Sequence, residues 1–339
     1  MELFPFEEIR DKQSDLMDAI QETVENEESI VAHAPTGLGK TAASVTPSIQ
    51  KALEEDETVF FLTPRHSQHE IALETIKKIN EHHGKDIMSV DLIGKSHLCE
   101  AEPGMRGGEG PDCPRYDDTY TDAHELTKQA KSMIDRLKHQ NLSAEEVKEK
   151  CHKVCPYEIL THMTSEADIV IADYFHVFHP KVREVIFEKA GVELNDTILI
   201  VDEAHNLPSR TRSLFTASLS VPKLDHAMTE CETFGYYNEG EKLERLKSIL
   251  NRLAADKLGM GEHEVEIEKK DLKEPIDNFQ EIGDLVVELE NVAEEVQEEQ
   301  ETSHCASVAE FLDSWTGEDR GFIRFLKRAR TGSNERIIK

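Results

Sequence analysis

The chain has 339 residues, 69 of them Asp or Glu and 39 Lys or Arg, so its formal charge is −30 at neutral pH. With 38% hydrophobic and 32% charged residues, it is long enough for two or three packed domains, and no apolar run approaches the ~20 residues that a membrane span requires. The charge taken alone speaks against binding driven by bulk phosphate neutralisation, which needs Lys and Arg. A solvated acidic surface suited to a high-salt cytoplasm is the better account, since ~1 M salt shortens the Debye length to about 3 Å; basic contacts are then local and few. Met1-Glu2-Leu3-Phe4 has no basic stretch followed by an apolar one, so no signal peptide is expected and a cytoplasmic location follows by default.

In chain order, Ile9, Leu16, Met17 and Ile20 recur at helical spacing and predict a helix leading into a first strand, Ser29–Ala32. Ala34-Pro35-Thr36-Gly37-Leu38-Gly39-Lys40-Thr41 follows, and Ala42-Ala43-Ser44-Val45 reads as the start of a helix. Residues 58–63, Thr-Val-Phe-Phe-Leu-Thr, predict a second strand from their β-branched and aromatic content. A helical pattern runs through Ile71, Leu73, Ile76 and Ile79. Residues 99–120 are rich in Gly and Pro, and residues 121–150 are polar and helical. No ordinary hydrophobic core is expected between 99 and 155. Strands return at 167–172 and 197–201. Alternating strands and helices predict an α/β fold with a parallel sheet. Residues 211–332 read as helices with polar joins and no further strands. The clearest helix carries Ile282, Leu285, Val286, Leu289, Val292 and Val296 on one face. The end of the chain is basic, with Arg320, Arg324, Lys327, Arg328, Arg330, Arg336 and Lys339; it reads equally as a DNA contact or as a last solvated helix.

A strand, a Gly-containing turn and a helix form a phosphate cradle, because backbone N–H groups and the helix N-terminus converge on an anion. Lys40 then reaches the β- and γ-phosphates, Thr41 binds Mg²⁺, and Gly37 and Gly39 let the backbone approach the phosphates. Ala34 stands where the strict pattern has Gly, whereas the form A-x-x-G-x-G-K-T is met in full. Asp202-Glu203-Ala204-His205 ends an apolar strand, which is where ligands sit in an open parallel sheet. There Asp202 can hold Mg²⁺ through water, and Glu203 can take a proton from the water that attacks the γ-phosphate.

Six cysteines are present. Cys99, Cys113, Cys151 and Cys155 are separated by 14, 38 and 4 residues. Four thiolates hold a [4Fe–4S] cluster or a zinc ion, and a single close pair favours the cluster over zinc. Such a staple suits a segment with little core of its own. Cys231 and Cys305 read as small core residues. The histidines, His82, His83, His152 and His162 among them, read as scattered surface groups. Arg65 fits a DNA phosphate or a structural ion pair.

The phosphate loop paired with Asp-Glu-Ala-His resembles superfamily 2 helicases. Phe4-Pro5-Phe6, Arg10 and Gln13 resemble that family's adenine-recognition segment. Leu62-Thr63-Pro64-Arg65 and Gln68 resemble the motif that touches single-stranded DNA. The four-cysteine insertion ending in Cys155-Pro156-Tyr157 is similar to that of the iron–sulfur branch, which includes XPD and DinG. The helical insertion after Asp-Glu-Ala-His, with Phe311-Leu312, Trp315 and Arg320 near its end, resembles the arch domain of XPD. The likeness covers the whole chain and is closest to an archaeal XPD-type helicase.

The resemblance implies a RecA-like P-loop motor domain at 1–90 and 165–210, an iron–sulfur domain at 91–164, an arch at 211–332, and the start of a return to the motor domain at 333–339. It implies ATP, Mg²⁺ and a [4Fe–4S] cluster as cofactors. It also implies 5′-to-3′ translocation on single-stranded and forked duplex DNA in repair, by a protein that is monomeric when complete. Asp173-Tyr174-Phe175-His176 matches the family's Asn/Ser-Tyr-His-like turn only loosely. The Ser/Thr-Gly-Thr motif and the second motor domain have no counterpart here, so nucleotide and cluster binding with little ATP turnover is expected until a second motor domain is supplied in cis or in trans. Alternatives are a non-catalytic, ATP-gated DNA-binding subunit or scaffold, and a DinG-like enzyme.

Overall fold

The computed structural model describes residues 3–99, 113–259, 263–300, 302–317, 319–330 and 336–338. Two compact units divide the described residues, one within 3–99 and 113–215, the other within 216–338.

In the first unit, α1 (Gln13–Glu25) and α2 (Lys40–Glu55) precede β1 (Thr58–Thr63), and α3 (His66–His83) leads to β2 (Ser89–Leu92). Five short helices follow: α4 (Lys95–Leu98), α5 (Pro114–Thr119), α6 (Lys128–Leu137), α7 (Ala144–Lys150) and α8 (Pro156–Met163). Then come β3 (Ile169–Asp173), α9 (Tyr174–Phe178), α10 (Pro180–Ala190), β4 (Thr197–Val201) and α11 (Leu207–Leu214). The four strands form one parallel sheet in the order β2-β3-β1-β4.

Side chains alternate across a strand, and both faces of this sheet are covered. Val59, Phe61, Ile169 and Ile171 pack with Val45 and Ile49 of α2 and with Ile76 and Ile79 of α3. Phe60, Leu62, Val90, Leu92 and Val170 face α6, α7, α8 and α10. A strand buried on both faces has to be apolar throughout, which is why Val59-Phe60-Phe61-Leu62 was legible. Fully burying each such side chain contributes about 1.5–3 kcal/mol.

Three expectations are corrected. Residues 29–35 form neither strand nor helix, and Val31 is 98% exposed. Among the described residues no strand pairs with the outer edge of β4, and β4 itself is only half-buried, with Leu199 37% exposed. A segment at that edge has no ladder to satisfy its backbone. The segment from 99 to 155 does have a core: Ala130, Ile134, Leu137, Ala144, Val147, Cys151 and Val154 are buried against the sheet. Strands also follow residue 211, as given below.

The second unit contains α12 (Val221–Phe234), α13 (Tyr237–Lys257), β5 (Glu264–Glu266), α14 (Lys269–Asp277), α15 (Ile282–Glu299), α16 (His304–Thr316), β6 (Phe325–Arg330) and β7 (Arg336–Ile338). The expected apolar face of α15 packs into a helical core with Leu246, Leu250, Leu312 and Trp315. Glu230 of α12 is buried and caps α16: it accepts hydrogen bonds from Ser303 Oγ (2.9 Å), His304 N (2.7 Å) and Cys305 N (2.9 Å). A carboxylate at a helix N-terminus satisfies orphan N–H groups and opposes the helix dipole. Cys231 and Cys305 are fully buried in this core, with Sγ atoms 3.7 Å apart. The basic end of the chain forms antiparallel β6 and β7 in place of the last helix that was one of its two readings, with β5 on the other side of β6. Among the described residues, no helix is long and apolar enough to cross a membrane.

Candidate nucleotide-binding site

The parallel register aligns the carboxyl ends of the strands: Thr63 pairs with Asp173, Leu62 pairs with Val201, and the Asp202 amide donates to Leu62 O at 2.8 Å. The candidate chemistry lies along this edge. The loop before α2 turns through Gly37 (φ +89°) and Gly39 (φ +86°), a left-handed region that favours glycine. Gly39 is fixed twice over, since a Cβ there would lie 2.3 Å from Gln13 Nε2.

Arg10 and Gln13 grip the loop backbone. Arg10 Nη1 donates to Gly37 O, and Gln13 Nε2 donates to Gly39 O at 3.0 Å. The Arg10 amide in turn donates to Gln13 Oε1 at 3.0 Å and fixes the amide orientation. Beside them lies a cavity of about 460 Å³ lined by Phe6, Arg10, Gln13, Gly39, Thr41 and Ile71. Lys78 Nζ sits 5.1 Å from the centroid of the Phe6 ring. Ile71, on the exposed side of α3, entered the sequence reading only as part of a helical pattern; its place in the wall depends on a fold-level contact.

Lys40 and Glu203, 163 residues apart in sequence, meet at Nζ–Oε1 3.3 Å. Burial pushes the Asp202 carboxyl above its ordinary value and adjacent Glu203 adds to this, while Lys40 works against both. Glu203 adopts φ 51°, ψ 40°, a left-handed conformation unusual for a residue with a side chain. Asn206 supports that turn, with its amide and Nδ2 both donating to Glu203 O at 2.9 and 3.2 Å. Tyr174, buried at the start of α9, donates its hydroxyl to Asp202 O. Burial, then Asp202 and Glu203, push that phenol up to about 12. Tyr174 was noted in the sequence only as part of a loosely matching turn.

Arg65 is exposed at the N-terminus of α3, and Gln68 is half-buried and accepts from Thr63 Oγ1. Thus the structure brings together Lys40, Glu203 and Asp202, and separately Arg10, Gln13, Gly37, Gly39 and Thr41 around one cavity and loop.

The four cysteines of the insertion are all described and all free. Cys99 follows α4, Cys113 and Cys155 directly precede the Pro residues that open α5 and α8, and Cys151 ends α7. Burial pushes the Cys151 thiol up to about 11, and neighbouring Cys155 adds to the rise. Burial also raises Cys155, opposed by the backbone N–H groups of Glu158 and Tyr157, which donate to its sulfur. Among the described residues, no three His, Cys, Asp or Glu side chains are gathered as in a metal site. The donor set nevertheless suits a thiophilic metal: four sulfurs, one already served by backbone N–H donors that favour a thiolate. Next to it, Glu158 is buried. Burial resists its ionisation, but Lys189 Nζ at 2.7 Å and the Tyr120 hydroxyl at 2.7 Å hold its carboxyl below the ordinary range. His162, expected at the surface, is half-buried with Nε2 2.8 Å from the Tyr120 hydroxyl. His69 and His176 are also buried.

Comparisons with known proteins bear on the family. The DEAD_2 family model matches residues 61–224, and the DEAD/DEAH box helicase model matches residues 11–102. The chain is similar to the ATP-dependent DNA helicase XPD of Sulfolobus acidocaldarius, 28% identical over 249 residues that make up 72% of this chain and 40% of that protein. It is similar to the general transcription and DNA repair factor IIH helicase subunit XPD/RAD3 of Saccharomyces cerevisiae, 23% identical over 78% of this chain and 37% of that protein. A solved structure titled XPD helicase superposes with TM-score 0.64 at 23% identity, covering 98% of this chain and 54% of that one. A truncated XPD superposes with TM-score 0.56 at 20% identity, covering 91% and 83%. The chain therefore spans about two fifths of the length of the curated relatives it matches.

Proposed function

We propose that this chain, which belongs to the XPD-type DEAD/DEAH-box helicases, carries the phosphate-binding half of the ATP site of a 5′-to-3′ DNA helicase. The observation that supports this most directly is the meeting of Lys40 with Glu203 at 3.3 Å beside Asp202. In this reading Lys40 leaves Glu203 for the β- and γ-phosphates, Thr41 and Asp202 hold Mg²⁺, and Glu203 orients and deprotonates the attacking water. Arg10 and Gln13 hold the loop open, and Phe6 offers a ring to the base. Turnover needs a second motor domain, in cis or in trans, to close over the nucleotide. Arg65 and Gln68 contact single-stranded DNA, and a forked duplex is the substrate whose strands are parted; repair is the process that fits the named relatives. Cys99, Cys113, Cys151 and Cys155 would hold a [4Fe–4S] cluster, which supplies cross-linking rather than chemistry at the phosphate.

The test is titration with a fluorescent ADP in the presence of Mg²⁺. The wild-type chain is expected to bind with micromolar affinity, and Lys40→Ala to lose at least about tenfold, the equivalent of one charge-assisted contact of about 1.4 kcal/mol or more. Equal binding by both proteins would overturn the assignment of the loop.

A further inference from the structure

The carboxyl edge of the sheet holds a chain of contacts that the nucleotide site does not use. Asp173 ends β3 and Tyr174 opens α9, so the two are covalent neighbours. The Asp173 carboxylate faces the first turn of α3: Oδ2 is 3.2 Å from His66 Nε2, and Oδ1 is 3.9 Å from His69 Nε2. His69 is 2% exposed and its ring is pinned from behind, with Nδ1 2.6 Å from Asp91 Oδ1, while Asp91 Oδ2 accepts from the Ala144 amide at 2.8 Å. Its Nε2 is buried and makes no hydrogen bond, because 3.9 Å is too long for one. His66 therefore makes the one formed hydrogen bond from α3 to Asp173. On the other side, the Tyr174 hydroxyl reaches across β1 to the carbonyl of Asp202, the residue after β4.

His66 lies between Arg65 and Gln68, and Asp202 lies beside Glu203 and Lys40. Two hydrogen bonds and one peptide bond thus join the segment proposed to contact DNA to the segment proposed to hold Mg²⁺. The middle of the link is rigid: Tyr174 is buried and β3 is a central strand. The α3 first turn reaches Asp202 by this link through β3 and by a second one through β1, where Thr63 Oγ1 donates to Gln68 Oε1 and Leu62 O accepts from the Asp202 amide.

We propose that His66–Asp173 and Tyr174–Asp202 act as a latch through which single-stranded DNA at Arg65 and Gln68 changes the affinity of the Asp202 site for magnesium nucleotide. His66 and Tyr174 are positioning residues in this scheme, touching neither nucleotide nor DNA. The latch rests on the function proposed above, and the test separates the two.

The full chain is titrated with fluorescent ADP and Mg²⁺, with and without saturating oligothymidylate; the ratio of the two dissociation constants is the readout, and by reciprocity the nucleotide shifts the oligonucleotide affinity by the same factor. The wild-type ratio is expected to be at least about fivefold, in the range usual for coupled sites. Tyr174→Phe keeps the ring and removes only the donor; His66→Ala breaks the other end. Each is expected to lower the ratio at least about twofold, the contacts through β1 keeping the remainder, and the double variant to lose no more than either single variant, because two breaks in one link are not additive. A ratio near one in the wild-type chain, with both ligands bound, overturns the latch and leaves the proposed function standing. A fivefold ratio retained by Tyr174→Phe and His66→Ala also overturns the latch alone. Absence of nucleotide binding by the folded wild-type chain overturns the proposed function and the latch with it.

Discussion

Gly39→Ala is the most informative single change in the phosphate loop, because the loop contains its own control at Gly37. Both glycines have φ near +90°, so an alanine at either costs about 1–2 kcal/mol of backbone energy. They differ in surroundings: a Cβ at Gly37 meets nothing within 4 Å, whereas one at Gly39 lies 2.3 Å from Gln13 Nε2. That approach is closer than any real contact, so the Gln13 amide has to swing out and give up its 3.0 Å bond to Gly39 O. Gln13 is only 2% exposed, and its buried amide left without a partner costs about 1–2 kcal/mol more. Gly39→Ala should therefore destabilise the nucleotide-free protein by about 2–4 kcal/mol and Gly37→Ala by about 1–2. Amide exchange at α2 reads the first unit directly. The one tryptophan, Trp315, belongs to the second unit, so its fluorescence in urea reads that unit and does not substitute for the exchange measurement. In a Gln13→Ala background the extra penalty at Gly39 should vanish. Equal costs at the two glycines, or an unchanged difference without Gln13, would refute the reasoning.

Glu230→Ala leaves the buried Cys305 amide at the start of α16 without its acceptor, while exposed His304 keeps access to water, at about 2 kcal/mol for the buried amide; Trp315 fluorescence in urea should show a loss of about 2 kcal/mol, and a loss below 1 kcal/mol would contradict the cap. Burial depresses the His176 imidazole from 6.5 to about 4, against the pull of Asp173. The unfolded chain then binds a proton that the folded one refuses, so stability is full above pH 6.5 and falls as pH drops from 6.5 towards 4, by up to about 3 kcal/mol. His176→Leu should remove that component of the slope in urea midpoints measured between pH 7 and 4.5. Protein purified anaerobically should be brown and contain about four irons, the complement of a [4Fe–4S] cluster; Cys155→Ser should lose most of the iron, and a colourless protein holding zinc would eliminate the cluster.

How far the sequence led depended on the kind of signal. Runs such as Val59–Leu62 and Ile169–Ala172 announced buried parallel strands because both faces of the sheet are covered. Ile30 and Val31 carried the same signal and formed no strand, since a ladder depends on a neighbour that local composition cannot specify. The apolar residues of α6 and α7 are sparse among charges, and the segment looked coreless; one buried stripe against an existing sheet was enough to pack it. β2 was hidden because two of its four buried residues are Ser89 and Asp91, whose partners Asn141 and His69 lie far along the chain or on another element. In β6 the inward Leu326 sits among Lys and Arg, which masked the period of two. At the candidate site, residue types and spacing named Lys40, Asp202 and Glu203. The Tyr174–Asp202 contact and the Gln13 clamp on Gly39 were not legible, because only the folded chain brings their atoms together.

The left-handed turn at Glu203 has a practical consequence for anyone designing an inactive form of this protein. The position is held by a residue whose backbone would be more comfortable as asparagine or glycine, at a gain of about 1 kcal/mol; in the function proposed above, the carboxylate is what the less comfortable residue supplies. Glu203→Asn should therefore melt slightly higher than the natural chain, while a β-branched substitute such as valine would distort the turn and confound loss of chemistry with loss of structure. For trapping a loaded complex, glutamine is the substitution that alters charge alone, and any rise in melting temperature across the series Glu, Gln, Asn would measure how much durability evolution has set aside at this one position.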